Sequence, residues 1–307
     1  MKLAIGIADR VIGINLLGEA EQAVPLFKER FKGYLCPERE RDGELKIGLL
    51  KYPHKTPQLI KLGQKGFIEQ RLPTKNVKAW LEKIPGQAHD FPITETTIAS
   101  FFLTGLLLFN PESSAGCLLL RDGKGCLWPV DRLCWMFLAQ ALGEQRGCFV
   151  HSAALARNDR GYLFIGPSGA GKSTLAKTFG GSMVFSDESP VLSERQGDFF
   201  LSPSPYRQTG ALQDPAGSMI GLNARVEGIY FILKDRRTYL EKLSKREALA
   251  QIMNRHILFI QYLSARARAH LFNLFFDACD RIPLYNLHVC LDEDIWRAID
   301  ASERRSK

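Results

Sequence analysis

The chain has 307 residues, 45% hydrophobic and 24% charged, which is ordinary composition for a folded protein with a sizeable core. Its 41 basic and 33 acidic residues leave a formal net charge of +8, suited to an anionic ligand or an acidic partner. No nucleic-acid-binding motif and no block of five like charges accompanies that excess, so nucleic acid is not expected as a partner.

The first residues, MKLAIGIADRVIGINLLG, alternate apolar residues but are interrupted by Asp9 and Arg10, so they lack a signal-peptide core. LKIGLLKY (45–52) has strand character, and TKNVKAWLEKI (74–84) has helical spacing through Val77, Trp80, Leu81 and Ile84. The longest apolar run, IASFFLTGLLLF (98–109), has 12 residues, where a membrane span needs about 20. It reads as a buried strand or helix. No membrane association is expected, and the protein reads as soluble and cytoplasmic.

CLLLRDGKGCLWPV (117–130) reads as two strands about an Asp-Gly turn. DRLCWMFLAQALGEQRG (131–147) reads as a mostly buried helix, capped by Asp131 and ended by Gly143 or Gly147. These readings set a boundary: a mixed, strand-rich accessory region over 1–130 and a second domain over 131–307.

In the second domain, CFVHSAALARNDRGYLFIG (148–166) reads as two strands joined by a turn at 158–161. EGIYFIL (227–233) is a buried strand. SKREALAQIMN (244–254) opens on a capping box, Ser244 with Glu247. ARARAHLFNLFFDAC (265–279) is an amphipathic helix, PLYNLHVCL (283–291) a strand, and Asp292 caps a last helix. Strands and helices alternate, so the class is α/β or mixed α+β. The seven cysteines are odd in number and form no C-x-x-C pair, so neither a disulfide framework nor a zinc site is expected.

The most specific pattern is GPSGAGKS (166–173), a full G-x-x-x-x-G-K-[ST] match placed after an apolar strand and before the helix-compatible STLAKTF. Gly166, Gly169 and Gly171 let the backbone fold into a nest whose N–H groups face phosphate oxygens. Ser168, Ala170 and Thr174 complete the loop and the start of the helix, which adds partial positive charge. Lys172 reaches β- and γ-phosphates, and the Ser173 hydroxyl is a magnesium ligand. ATP and Mg²⁺ are the expected cofactors.

An acidic pair follows early. MVFSDES ends in Asp187 and Glu188, 15 residues after Lys172 when counted to Asp187. The connecting helix has room for about two turns, on the order of 10 Å. The acids must therefore return to the loop, and no LSGGQ segment of a transporter ATPase intervenes. One acid would accept a hydroxyl proton and the other would help hold the metal, with Asp187 paired to Ser173 as ligand. Neighbours on a strand point to opposite faces, so both reach the site only if the strand ends there.

His151 in VHSAAL, GPSGAGKST and SDE together resemble the C-terminal domain of HPr kinase/phosphorylases, as do YFILKDRR (230–237), EKLSKREALAQIM (241–253) and RIPLYNLHV (281–289). The resemblance spans about 148–300. It implies a phosphoenolpyruvate carboxykinase-like P-loop core and a serine kinase in which Lys172, Asp187, Glu188 and His151 are catalytic. Two positions depart from the family pattern: Glu188 stands where aspartate is usual, and Glu227 where arginine is expected. The resemblance thus extends to divergent relatives from peptide-modification gene clusters that phosphorylate a peptide hydroxyl. The expected activity is γ-phosphoryl transfer from ATP to a serine or similar hydroxyl of a peptide or protein. The alternatives are a small-molecule kinase and a non-enzymatic nucleotide-binding regulator, and a homo-oligomer is compatible with either. Arg207, Arg236, Arg237, Arg266 and Arg268 are further phosphate or partner contacts to place, with a solvated surface the default for each.

Overall fold

The computed structural model describes residues 2–8, 10–16, 24–37, 43–49, 67–68, 91, 93–102, 105–113, 115–120, 127–178, 182–206, 218–290 and 293–305. The fold is mixed α/β with mostly antiparallel sheets, and it divides into two compact units, Met1–Ala141 with Gln261–Arg266 and Leu142–Ile260 with Ala267–Lys307.

The first unit is built on a sheet of β1 (Lys2–Ile7), β2 (Arg10–Leu16), β3 (Gly43–Leu49), β4 (Phe67–Ile68), β5 (Ile98–Phe102), β6 (Gly105–Asn110) and β7 (Ala115–Leu120), in the order β1-β2-β3-β7-β6-β5-β4. The pairs β2–β3 and β3–β7 are parallel and the others antiparallel. α1 (Val24–Arg30) contributes Phe27 to the core, and Phe31 just beyond it is buried as well. The 12-residue apolar run is neither one strand nor one helix. It is the hairpin β5–β6, which places Leu107, Leu108 and Phe109 in the core.

α2 (Leu127–Gly143) corrects two readings. The segment after the Asp-Gly pair is helical from Leu127 onward, so β7 finds its antiparallel partner upstream, in β6. Asp131 lies inside the helix and does not cap it. Pro129 is tolerated because the first turn needs no N–H donor. Gly116 of β7 is dictated by packing, since a Cβ there would collide with the Phe137 ring, which sits 5.1 Å from that of Phe109.

The second unit holds β8 (Gly147–Phe149), β9 (Ser152–Arg157), β10 (Arg160–Ile165), β11 (Met183–Ser186), β12 (Val191–Arg195), β13 (Asp198–Ser202), β14 (Ala224–Lys234), β15 (Tyr239–Lys242) and β16 (Leu284–Val289). The order is β11-β9-β10-β14-β13-β12-β8, with β16 joining β14 and β15 pairing with β16. β14 is long enough to share one edge between two partners, β13 near its start and β16 over Ile229–Lys234, while β10 runs parallel along its other edge.

Local chemistry fixes the hairpins. Asn158 and Asp159 have φ of 52° and 62°, the two left-handed residues of a type I′ turn, which sets the β9–β10 register. Gln196 and Gly197 do the same for β12–β13.

α3 (Lys172–Thr178) and α6 (Ile295–Arg305) supply Leu175, Ala176, Ile295, Trp296 and Ile299 to a core with Leu155, Tyr162, Phe164, Tyr230, Ile232 and Leu287. The alternate residues Leu163, Ile165, Ile229 and Phe231 are buried too, which is why β10 and β14 read as continuous apolar runs. α4 (Lys245–Arg255) carries the expected capping box between Ser244 and Glu247, and α5 (Ala265–Arg281) follows. Asp294 rather than Asp292 accepts from the Trp296 amide at the start of α6, and Asp292 lies outside the described residues. So do the expected helix at 74–84, Cys126 and Arg207. Four of the six described cysteines are buried, and burial pushes the Cys148 thiol up.

Candidate functional site

Strand direction assembles the site. β9 is antiparallel to both β10 and β11, so those two strands point the same way and end at the same sheet edge. β10 ends there in the glycine loop, and β11 ends two strand positions away, on the order of 10 Å. β9 begins between them, and His151 is the residue before it.

The loop 166–171 matches the backbone its glycines were expected to give. Gly169 and Gly171 have φ of 78° and 103°, where a side chain would be strained, with open space around both. Gly166 is required for a different reason: a Cβ there would come 2.9 Å from that of Ala170. The Ala170 amide donates to the Pro167 carbonyl at 3.1 Å, closing the turn. Ser168 and Thr174 are exposed, and Ser173 is half-buried at the start of α3.

Lys172 is 7% exposed. Its Nζ donates to the carbonyls of Gly166 at 2.7 Å and Pro167 at 3.1 Å, so the ammonium lies folded against its own loop. Burial lowers its pKa, and the Glu188 charge pulls it back up. The Glu188 charge thus reaches the lysine.

The pair itself sits where β11 stops. Strand pairing ends at Ser186 after an irregularity at Phe185, and Asp187 and Glu188 lie in the bend that follows. Asp187 is 2% exposed and Glu188 half-buried. A buried serine cluster holds the bend. Ser186 Oγ accepts from the amides of Glu188 at 3.2 Å and Ser189 at 3.0 Å and donates to the Tyr206 carbonyl at 3.1 Å. Ser189 Oγ donates to the same carbonyl at 2.8 Å, and Ser204 Oγ accepts from the Tyr206 amide at 3.2 Å. The segment 202–206 therefore acts as a clamp behind the acids. Ser204, between Pro203 and Pro205, is part of it.

His151 closes the ring. The Ser152 amide donates to the Glu188 carbonyl at 3.0 Å. Burial lowers the His151 pKa first and the nearby Lys172 charge second. The structure adds His256, at the C-cap of α4 and 8% exposed. Its ring lies parallel to that of His151, 4° apart in plane and 6.4 Å between centroids. Burial lowers its pKa; the His151 main chain opposes this, and the charges of His151, Lys172 and Arg255 reinforce it. No sequence spacing links His256 to the loop. The capping box that fixes the start of α4 was the available signal that its end is fixed too.

Arg236 and Arg237 are exposed in the bend after β14, and Arg266 and Arg268 are exposed on α5. Among the described residues no three of His, Cys, Asp and Glu converge as a ready metal site. Magnesium in this setting needs few protein ligands, and a half-buried serine hydroxyl beside the lysine and an acid turn at the same edge fit that demand. No helix among the described residues is long and apolar enough to cross a membrane.

The second unit thus presents a strand, a glycine loop and a helix in succession, with an acid turn and a histidine pair at one sheet edge. Residues 130–302, more than half of the chain, match the family described as SynChlorMet cassette protein ScmC, and the protein belongs to that family. This corrects the HPr kinase/phosphorylase resemblance: the family match is to ScmC and not to an HPr kinase family. Short pieces such as a glycine loop and an acid pair solve a local phosphate-binding problem, and they recur in chains that share little else. No curated protein matches the chain.

Proposed function

We propose that this protein is an ATP- and Mg²⁺-dependent phosphotransferase with a P-loop nucleotide-binding core, moving the γ-phosphoryl group to a serine or similar hydroxyl of a peptide or protein. One observation carries the reading: Lys172 is buried against the carbonyls of its own glycine loop, with Glu188 as the acid that acts on its charge. The lysine is placed to trade those carbonyls for phosphate oxygens.

In the proposed step the acceptor hydroxyl oxygen attacks the γ-phosphorus, and the bond from that phosphorus to the β,γ-bridging oxygen breaks. ADP leaves, and the hydroxyl proton passes to a carboxylate of the acid turn, for which the half-buried Glu188 is the better placed. Ser173 and Asp187 would hold magnesium, which neutralises charge on the phosphates. The Ser152 amide, next to His151, holds the Glu188 carbonyl.

A second reading is favoured by one feature. A lysine already satisfied by its own loop also suits a regulator that binds nucleotide without transfer. Incubation with γ-labelled ATP, magnesium and hydroxyl-bearing peptides separates the two. Label on a peptide, lost in Lys172→Met, supports the transferase. Tight ATP binding with no label on any acceptor supports the regulator, and no nucleotide binding at all refutes both.

A further inference from the structure

His256 makes its contacts through main chain and ring together. The His151 amide donates to the His256 carbonyl at 2.7 Å, and the Leu258 amide donates to the Phe149 carbonyl at 3.1 Å. Val150 and Ile257 form an isolated antiparallel bridge between these bonds. A bridge at that pair makes His151 and His256 direct cross-strand neighbours on one face, which is why their rings meet. The His256 end is rigid because it caps α4, with its own amide donating to the Ile252 carbonyl at 3.0 Å. The His151 end leads into β9, whose first amide holds the Glu188 carbonyl.

A continuous set of contacts therefore runs from the end of α4 through His256 and His151 to the acid turn that faces Lys172. The His256 Nδ1 is screened from solvent and has no hydrogen-bond partner among the described residues. Its contribution comes from the shape of the ring more than from that nitrogen.

We propose that His256 is a positioning residue of the phosphate-loop site, bracing the His151 ring and through it the Glu188 turn opposite Lys172. The catalytic consequence rests on the phosphotransferase reading, whereas the brace itself does not. If the ring is the working part, a flat apolar ring replaces it and a methyl group does not.

The test compares His256→Ala with His256→Phe in the full chain. Two readouts are used: steady-state transfer of label from γ-labelled ATP, and the ring signals of His151 in long-range ¹H–¹⁵N spectra. The expected result for His256→Ala is a kcat about tenfold lower with the KM for ATP within about twofold, because a misplaced group slows the step more than it weakens binding. The His151 ring signals should shift and broaden. His256→Phe should restore kcat to within about threefold and sharpen those signals. Unchanged His151 signals in His256→Ala would overturn the brace. So would equal loss in both variants when urea unfolding shows His256→Phe folded. If the wild-type protein transfers no phosphoryl group, the reading under Proposed function fails, and the ring signals alone still decide the brace.

Discussion

Replacing Lys172 with methionine tests the phosphate cradle most directly. Methionine keeps an unbranched chain in a site that is 7% exposed and removes the charge. On folding, two effects oppose. The buried Gly166 carbonyl loses this donor, at about 1–3 kcal/mol for a group left unpaired, while the exposed Pro167 carbonyl keeps the Ala170 amide. Against this, the ammonium no longer has to be buried, a cost already visible in its lowered pKa. Fold stability should therefore fall by no more than about 3 kcal/mol. On nucleotide binding nothing offsets the loss. A hydrogen bond to a charged group contributes about 1.5–3 kcal/mol, and two such contacts to phosphate oxygens make a loss of about 3 kcal/mol a conservative expectation, roughly 150-fold in Kd. Calorimetric titration of ATP, ADP and AMP reads the affinity, and urea unfolding reads the fold. The expected order is a large loss for ATP, a smaller one for ADP and little change for AMP, since the lysine is assigned to the β- and γ-phosphates. Wild-type affinity for ATP in a folded Lys172→Met protein would refute the cradle.

Four further outcomes follow from the same geometry. Ser186→Ala removes a buried hydroxyl that serves two amides and one carbonyl, and should cost about 2–3 kcal/mol in urea unfolding, with a loss of label transfer exceeding the loss of ATP affinity. Gly171→Ala meets open space but needs φ of 103°, so strain of about 1–3 kcal/mol is expected, read by urea unfolding, together with lost ATP binding. Burial lowers the pKa of both His151 and His256, so below pH 6.5 the unfolded chain binds more protons than the folded one. Stability should fall as pH drops from 6.5 towards those lowered values, and urea midpoints at pH 7.5 and 5.5 should converge in a His151→Gln/His256→Gln variant. Ser244→Ala breaks the capping box of α4 and should lower stability by about 1 kcal/mol, seen as a shift in thermal midpoint.

What could be read from the sequence is what is local. The glycine loop spans eight consecutive residues; Gly169 and Gly171 take left-handed backbone there and Gly166 leaves room for the Ala170 methyl, all within that span. The capping box is equally local, and so is the turn of two left-handed residues at Asn158 and Asp159. Errors arose where a local signal had two outcomes. An Asp-Gly pair after β7 looks like a hairpin, but the strand already had β6 and β3 as neighbours, and the chain beyond turned to helix at Leu127. A 12-residue apolar run gives no period, so it hid the antiparallel pairing of β5 with β6 inside it.

The site divides along the same line. Lys172 and the acid turn are close in sequence, and counting residues alone brings them to one edge. What that count could not supply is which acid acts on the lysine. It requires the end of β11 at Ser186 and the serine clamp from 202–206, both consequences of pairing with segments far along the chain. His256 is further removed still. It stands 105 positions after His151, and only the bridge between Val150 and Ile257 makes the two neighbours. A single imidazole in a capping position reads as unremarkable helix chemistry. Placed across a bridge from a second imidazole, its ring lies parallel to that of His151, and the charges of His151 and Lys172 add to burial in lowering its pKa.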